Sequence, residues 1–232
     1  MRELTSRFAG LRAGDPISPI SRIIEWDGGF DDFTRILSSN PPVFARDVQP
    51  IRGDSLPIER PSRYPFTICR SEMKLLEAID LFGIPIAPGS LAVDLGAAPG
   101  GWSYVLASLG ILVTAVDPGA LHPLAADNPS VTHIRTTAGQ YLQTAPISRA
   151  SLLVNDMKMD AARSCRVMLD CAPLLTQSGW ALMTLKLPSN ATPSWPGIIK
   201  TARAALEQSY AIVGIRQLRS NRSEAACALT RL

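Results

Sequence analysis

Four polar residues lie at the ends of predicted strands or in a predicted helix, and their types suit acid–base chemistry. Asp156 ends the apolar run SLLVND, and Lys186 ends WALMTLK. Glu224 opens EAACALTRL, and Lys74 lies in the helical stretch SEMKLLEAIDLF. A lysine at its ordinary pKa of about 10.4 is protonated at neutral pH and cannot accept a proton. Beside another ammonium group, and partly removed from water, a lysine can act as a base.

A glycine-rich turn connects a predicted strand to a predicted helix in the segment VDLGAAPGGWSYVL. The strand ends in Asp94 and the helix begins near Trp102, so backbone and free N–H groups can approach a ligand closely. The dinucleotide fingerprint G-x-G-x-x-G is broken, because Ala98 takes the second glycine position and Pro99 follows it. Asp117 ends the next strand, where a carboxylate could hold a ribose diol.

Short apolar runs alternate with helical stretches from Ser71 onward. The runs cover residues 90–96, 112–117, 131–135, 150–156, 180–186, 211–218 and 224–232. This alternation predicts an α/β fold with a mostly parallel seven-stranded sheet and helices on both faces. The last two runs are joined by RSNRS without a helix, which predicts an antiparallel hairpin at the sheet edge.

Composition narrows the class of protein. The 232 residues are 46% hydrophobic, enough for one large domain with a small appendage. There is no apolar run of about 18 residues, so we expect no membrane span. Four cysteines without CxxC spacing and two histidines argue against a metal site and favour reduced thiols in the cytoplasm. Only four of the 23 basic residues are lysines, which makes Lys74 and Lys186 conspicuous.

From about Ser71 to Leu232 the chain resembles the FtsJ-like ribose 2′-O-methyltransferases. The four polar residues match the Lys-Asp-Lys-Glu tetrad of that family, and DLGAAPGGWS matches its first motif. The segments NDMKMD, LMTLKLP and RSNRSEAACALTRL are most similar to the RlmM branch, which methylates large-subunit rRNA. The resemblance implies a Rossmann-like class I methyltransferase fold, S-adenosyl-L-methionine as the cofactor and RNA as the partner.

The resemblance also implies a role for each site residue. Lys186 is the expected general base, Lys74 helps it to lose its proton, Asp156 orients Lys186, and Glu224 fixes Lys74 or the ribose. The implied cofactor contacts follow the glycine turn and the strand ends: Ser71, Asp94, Gly96, Ala98, Pro99, Gly100, Gly101, Trp102, Asp117, Thr137 and Asp156. Other interpretations stay open: Trp102 could pack in the core, Ser71 could cap a helix, and Asp94 and Asp117 could stabilise turns. Arg219 and Arg222 are candidate phosphate contacts.

The sequence departs from the family pattern in two places. Thr136 and Thr137 stand where the family usually has an acidic residue that binds adenine. The RlmM branch also has a large N-terminal RNA-binding portion with a THUMP domain. Here residues 1–65 form only a short module, expected to be a reduced RNA-binding remnant, before the methyltransferase domain at 66–232. These departures leave an alternative, a non-catalytic RNA- or cofactor-binding protein. Nothing in the sequence calls for a partner subunit, which favours a monomer.

Overall fold

The computed structural model describes residues 67–147, 149–188, 195–221 and 223–232. The predicted N-terminal module, residues 1–65, and the candidate phosphate contact Arg222 lie outside them. The helices are α1 (Glu72–Phe82), α2 (Gly101–Ser108), α3 (Pro123–Ala126), α4 (Ala138–Leu142), α5 (Ala161–Cys171) and α6 (Trp195–Leu206). The strands are β1 (Leu91–Leu95), β2 (Leu112–Val116), β3 (Val131–Ile134), β4 (Ala150–Asn155), β5 (Leu175–Lys186), β6 (Tyr210–Arg216) and β7 (Glu224–Arg231).

The seven strands form one sheet in the order β3-β2-β1-β4-β5-β7-β6. Strands β1 to β5 pair in parallel, and β7 runs antiparallel between β5 and β6. The predicted parallel sheet and the C-terminal hairpin are therefore both confirmed. The polar residues at the carboxyl ends of β1, β2, β4 and β5 lie at one edge, because parallel strands end at the same side of a sheet.

Helices cover both faces of the sheet. Residues of α1, α2 and α3 form one buried cluster with alternate strand residues such as Ala92, Val154 and Leu182. Residues of α4, α5 and α6 form the other with the intervening positions, such as Val93 and Met183. Burial on both sides explains why the strands read as nearly continuous apolar runs.

The ends of α1 agree only in part with the sequence-based expectation. Gly83 directly follows the predicted helical stretch SEMKLLEAIDLF and ends the helix in the left-handed conformation, with φ +64°. Ser71 takes the predicted N-cap position, but within the described residues its side chain makes no capping hydrogen bond. The carboxylate of Glu72 binds the nearby amides instead, accepting hydrogen bonds from the N–H groups of Thr67, Ile68 and Cys69 at 2.7–3.0 Å.

Two short helices were not predicted. The side chain of His122 caps α3, and Thr137 and Gln140 form a reciprocal capping box at the start of α4. Each helix has only four or five residues, too few for a 3.6-residue periodicity to be visible. Within the described part of the chain, none of the helices has the length and apolar character needed to cross a bilayer.

Candidate active site

The sheet and α1 bring the four predicted catalytic residues to one place. Side chains at alternate positions of a strand point to the same face. Asp156 comes two residues after Val154, and Glu224 two residues before Ala226; Val154 and Ala226 belong to the buried cluster that α1 covers. Lys186 comes two residues after Thr184, which pairs with Ala226. Lys74 lies in the first turn of α1 and faces them from above the sheet.

The four side chains form a closed ring in which each lysine Nζ contacts both carboxyl groups. Lys74 Nζ lies 3.2 Å from Asp156 Oδ2 and 2.6 Å from Glu224 Oε1. Lys186 Nζ lies 2.5 Å from Glu224 Oε2 and also donates to Asp156 Oδ1. The side chains are 9–23% exposed, so the ring is largely shielded from water.

The ring sets the charge state of two of its members. Burial opposes the charge on Lys74, but attraction to Asp156 and the contacts with Glu224 outweigh it and raise the pKa of Lys74. Burial also opposes the charge on Asp156, and the Lys74 and Lys186 charges outweigh it and lower the pKa of Asp156. Lys74 is therefore an ammonium group and Asp156 a carboxylate at neutral pH.

Two further residues hold Asp156. The hydroxyl of Thr184 donates to Asp156 Oδ1 at 2.6 Å. The backbone after β4 is fixed by buried Asn155, whose Oδ1 accepts the Met157 N–H at 2.9 Å and whose amide donates to Ser164 Oγ. The carboxylate is thus restrained through both its side chain and its backbone.

The glycine turn runs beside this ring from β1 to α2. Gly96 and Gly100 have φ values of +74° and +103°, which favour glycine over other residues. A Cβ at Gly96 would overlap the Met157 side chain, and one at Gly100 would lie 2.7 Å from Ala125 Cβ. Internal packing therefore requires glycine at these two positions. The sequence alone indicated only that glycines let the backbone approach a ligand closely. The Ala98–Pro99 peptide bond between them is cis.

Two carboxylates lie at the ends of β1 and β2. Asp94 is 2% exposed and accepts a hydrogen bond from Ser103 Oγ at 2.6 Å. Burial, with the nearby charges of Asp156 and Asp117 adding to it, raises the pKa of Asp94 to about 7. Asp117 accepts hydrogen bonds from the N–H groups of Ala98 at 3.2 Å and Gly119 at 2.6 Å. Three acidic side chains thus converge on the turn that contains Gly96.

Three further predicted cofactor residues also have structural partners. Trp102 is 3% exposed, and its indole N–H donates to the Ser71 carbonyl at 2.6 Å, which agrees with the core interpretation of Trp102. Ser71 Oγ lies 3.0 Å from Cys69 Sγ. Thr137 caps α4 through Gln140. A contact of Ser71, Trp102 or Thr137 with a cofactor stays a prediction.

Sequence reasoning missed the residue that joins α1 to the turn between β6 and β7. The Glu77 carboxylate accepts hydrogen bonds from Arg219 N at 2.7 Å, Ser220 N at 3.1 Å and Ser220 Oγ at 2.7 Å. Glu77 lies one helical turn after Lys74, and the β6–β7 turn leads directly into Glu224. The only sequence signal was an acidic residue on the helix that carries Lys74.

Solved structures share this fold. Fibrillarin of Aeropyrum pernix, solved with bound S-adenosyl-L-methionine, is 17% identical, with a TM-score of 0.52 over 67% of this chain and 71% of fibrillarin. A Lactococcus lactis protein described as a hemolysin candidate is 17% identical, with a TM-score of 0.61 over 72% of this chain and 89% of its own. The likeness to fibrillarin and the strand order agree with the predicted Rossmann-like class I methyltransferase fold.

The curated relatives of the chain are named as RNA methyltransferases. The ribosomal RNA large subunit methyltransferase M of Methylococcus capsulatus is 36% identical over 168 residues, which is 67% of this chain and 45% of the relative. The chain thus spans less than half the length of that relative. Residues 67–187, more than half of the chain, match the family described as FtsJ-like methyltransferase. This range contains the glycine turn and three of the four ring residues, and the chain belongs to the FtsJ-like methyltransferase family.

Proposed function

We propose that the protein is an RNA 2′-O-methyltransferase that uses S-adenosyl-L-methionine and acts on large-subunit rRNA. The observation that carries the proposal is the closed ring of Lys74, Asp156, Lys186 and Glu224 beside the glycine turn. The name of the Methylococcus capsulatus relative supports rRNA as the substrate. The cytoplasmic location and the monomeric state expected from the sequence stay predictions.

The residues around the glycine turn fit the cofactor. S-adenosyl-L-methionine carries two positive charges, on its amino group and on its sulfonium, and supplies the methyl group when it is bound. Asp94 is a buried carboxyl whose pKa is raised to about 7 by burial and by neighbouring acidic groups. A bound cation beside Asp94 would stabilise its charged form. Asp117, oriented by two backbone amides, is the candidate partner of the ribose hydroxyls.

Lys186 is the candidate general base. A ribose 2′-hydroxyl is a poor nucleophile and must lose its proton as it attacks, and the neutral amine of Lys186 would take that proton on Nζ. The ammonium group that results is stabilised by its contacts with Asp156 and Glu224. Attraction to Asp156 and the contacts with Glu224 raise the pKa of Lys74, so Lys74 stays protonated. Lys74 would instead donate a hydrogen bond to the hydroxyl oxygen.

The ring also positions the reacting hydroxyl. Holding a nucleophile in the right geometry can account for a large part of the rate of a transfer reaction. The two carboxylates fix the Nζ atoms of Lys74 and Lys186 relative to each other. Arg219, which is exposed on the neighbouring β6–β7 turn, is a candidate contact for the RNA phosphates.

The test is methyl transfer from radiolabelled S-adenosyl-L-methionine to total RNA from cells that lack the gene. The products are digested to nucleosides and identified by mass. We expect label in a 2′-O-methylnucleoside with the wild-type protein and none with Lys186→Ala. Label in a base-methylated nucleoside would contradict the proposed site of transfer. Cofactor binding without transfer to any RNA, including assembled ribosomal subunits, would favour the non-catalytic alternative.

A further inference from the structure

Thr184 lies beside the ring but is not one of its four members. We propose that Thr184 is a positioning residue, whose hydroxyl fixes the Asp156 carboxylate so that each of its oxygens faces one lysine. This inference rests on the proposed function, because it assigns Thr184 an effect on the rate of methyl transfer.

The register of the sheet puts Thr184 in reach of Asp156. Thr184 lies two residues before Lys186 on β5, so both side chains point to the face covered by α1. Asn155 pairs with Met183 across β4 and β5, which brings the next residue, Asp156, beside Thr184. On the other side Thr184 pairs with Ala226 of β7, two residues from Glu224.

The hydrogen bond selects one orientation of the carboxylate. Thr184 is 1% exposed and donates to Asp156 Oδ1 at 2.6 Å, the same oxygen that receives Lys186. Lys74 lies closer to Oδ2, at 3.2 Å, than to Oδ1, at 3.5 Å. The terminal torsion of an aspartate side chain has broad minima, so without the hydroxyl the carboxylate plane can rotate. Rotation would move Lys186 relative to the reacting hydroxyl.

The chemistry of the contact is favourable at this site. The hydroxyl donates to a charged acceptor, and such hydrogen bonds are stronger than those between neutral groups. Burial raises the pKa of Asp156, and the charges of Lys74 and Lys186 lower it. The hydrogen bond from Thr184 lowers this pKa further. Loss of the hydroxyl would therefore weaken the hold on the carboxylate and also raise its pKa.

The experiment compares Thr184→Val, which keeps the shape and loses the hydroxyl, with Thr184→Ser, which keeps the hydroxyl. Thr114→Val is the matched control, since Thr114 is likewise a threonine in a parallel strand of the sheet, in β2. For each protein we would measure kcat, the KM for RNA, the Kd for S-adenosyl-L-methionine and the Tm. We expect Thr184→Val to lower kcat about tenfold with KM and Kd unchanged. Thr184→Ser should recover most of the rate, and Thr114→Val should keep it.

Two results would overturn the proposal. One is a Thr184→Val protein with the kcat of the wild type. The other is a Thr184→Ser protein as slow as Thr184→Val, because then the methyl group and not the hydroxyl would matter.

A second readout separates this inference from the proposed function. Carboxyl ¹³C NMR, with the Asp156 signal assigned through Asp156→Asn, follows the protonation of Asp156 without any methyl transfer. We expect the pKa of Asp156 to be higher in Thr184→Val than in the wild type, and to return toward the wild-type value in Thr184→Ser. If that pattern is found in a protein that transfers no methyl group, the proposed function fails and the contact stands. An unchanged pKa in Thr184→Val would overturn the inference even in an active enzyme.

Discussion

Lys186 and Glu224 are direct partners across the antiparallel pair of β5 and β7, and their side chains meet at 2.5 Å between Nζ and Oε2. Lys186 is the last residue of β5 and Glu224 the first of β7, so backbone hydrogen bonding fixes this half of the ring. Asp156 directly follows β4, which pairs with β5. Lys74 is the ring member that comes from a helix, and its position depends on how α1 packs on the sheet.

Glu77 anchors that helix, and its removal should disturb both stability and activity. The Glu77→Ala variant loses three hydrogen bonds to the turn of Arg219 and Ser220, and we expect the free energy of unfolding to fall by about 2 kcal/mol. The Ser220→Ala variant loses only the hydroxyl bond and should lose about a third as much. Urea unfolding measures both. Equal effects of the two variants would show that the backbone bonds to Glu77 contribute nothing.

In the protein without bound cofactor, ionisation of Asp94 should lower the stability as the pH rises. Burial raises the pKa of Asp94 to about 7, so the folded protein binds this proton more tightly than the unfolded chain, whose carboxyl has a pKa near 3.8. The contribution of Asp94 to the free energy of unfolding therefore falls as the pH rises from about 4 to 7 and then levels off, by an amount on the order of 4 kcal/mol. We expect Asp94→Asn to be more stable than the wild type at pH 8, with the difference shrinking toward pH 4.

Urea unfolding at several pH values measures this difference, and the exposed Asp170→Asn variant is the control. Binding of S-adenosyl-L-methionine, measured by calorimetry, should weaken in Asp94→Asn although the fold is more stable. Wild-type and Asp94→Asn stabilities that run parallel across the pH range would contradict the assignment of the proton to Asp94.

Gly96 should be far less tolerant of substitution than Gly89, although both have positive φ. An alanine at Gly89, with φ +82° and nothing within 4 Å of its Cβ, meets only the conformational cost, about 1 kcal/mol. An alanine at Gly96, with φ +74°, would also overlap Met157, which directly follows Asp156. We expect Gly96→Ala to lose about 3 kcal/mol or more in urea unfolding. Equal losses at Gly89 and Gly96 would mean that Met157 moves aside freely.

The sequence was sufficient to predict the architecture and the location of the candidate site. Strands buried on both faces give apolar runs that are easy to recognise, and all seven predicted strands are present. Since parallel strands end at one edge, the ends of β4 and β5 already indicated that Asp156 and Lys186 would be neighbours. Strand β5 begins at Leu175, five residues before the predicted run, because TQSG interrupts its apolar pattern.

Contacts between polar groups distant in sequence could not be predicted in this way. The Glu77 carboxylate reaches Arg219, 142 residues away, and a lone acidic residue on a helix has no periodic pattern that names its partner. The same holds for Glu72, which binds three backbone amides next to it, and for the overlap that requires glycine at Gly96. The Thr137–Gln140 capping box follows a pattern that the sequence contains, T-x-x-Q, and the cofactor contact of Thr137 stays a prediction beside it.

The most direct test of the ring as a methyl-transfer centre is the Lys186→Arg variant. Arginine keeps a positive charge for Asp156 and Glu224, but it cannot be deprotonated in a protein and so cannot serve as the base. We would measure single-turnover methyl transfer to RNA with saturating S-adenosyl-L-methionine, next to Lys200→Arg, a substitution on the exposed side of α6. A loss of at least about a hundredfold in rate, with unchanged cofactor binding and Tm, is the predicted result for Lys186→Arg. Transfer at nearly the wild-type rate would show that Lys186 supplies charge and not the base.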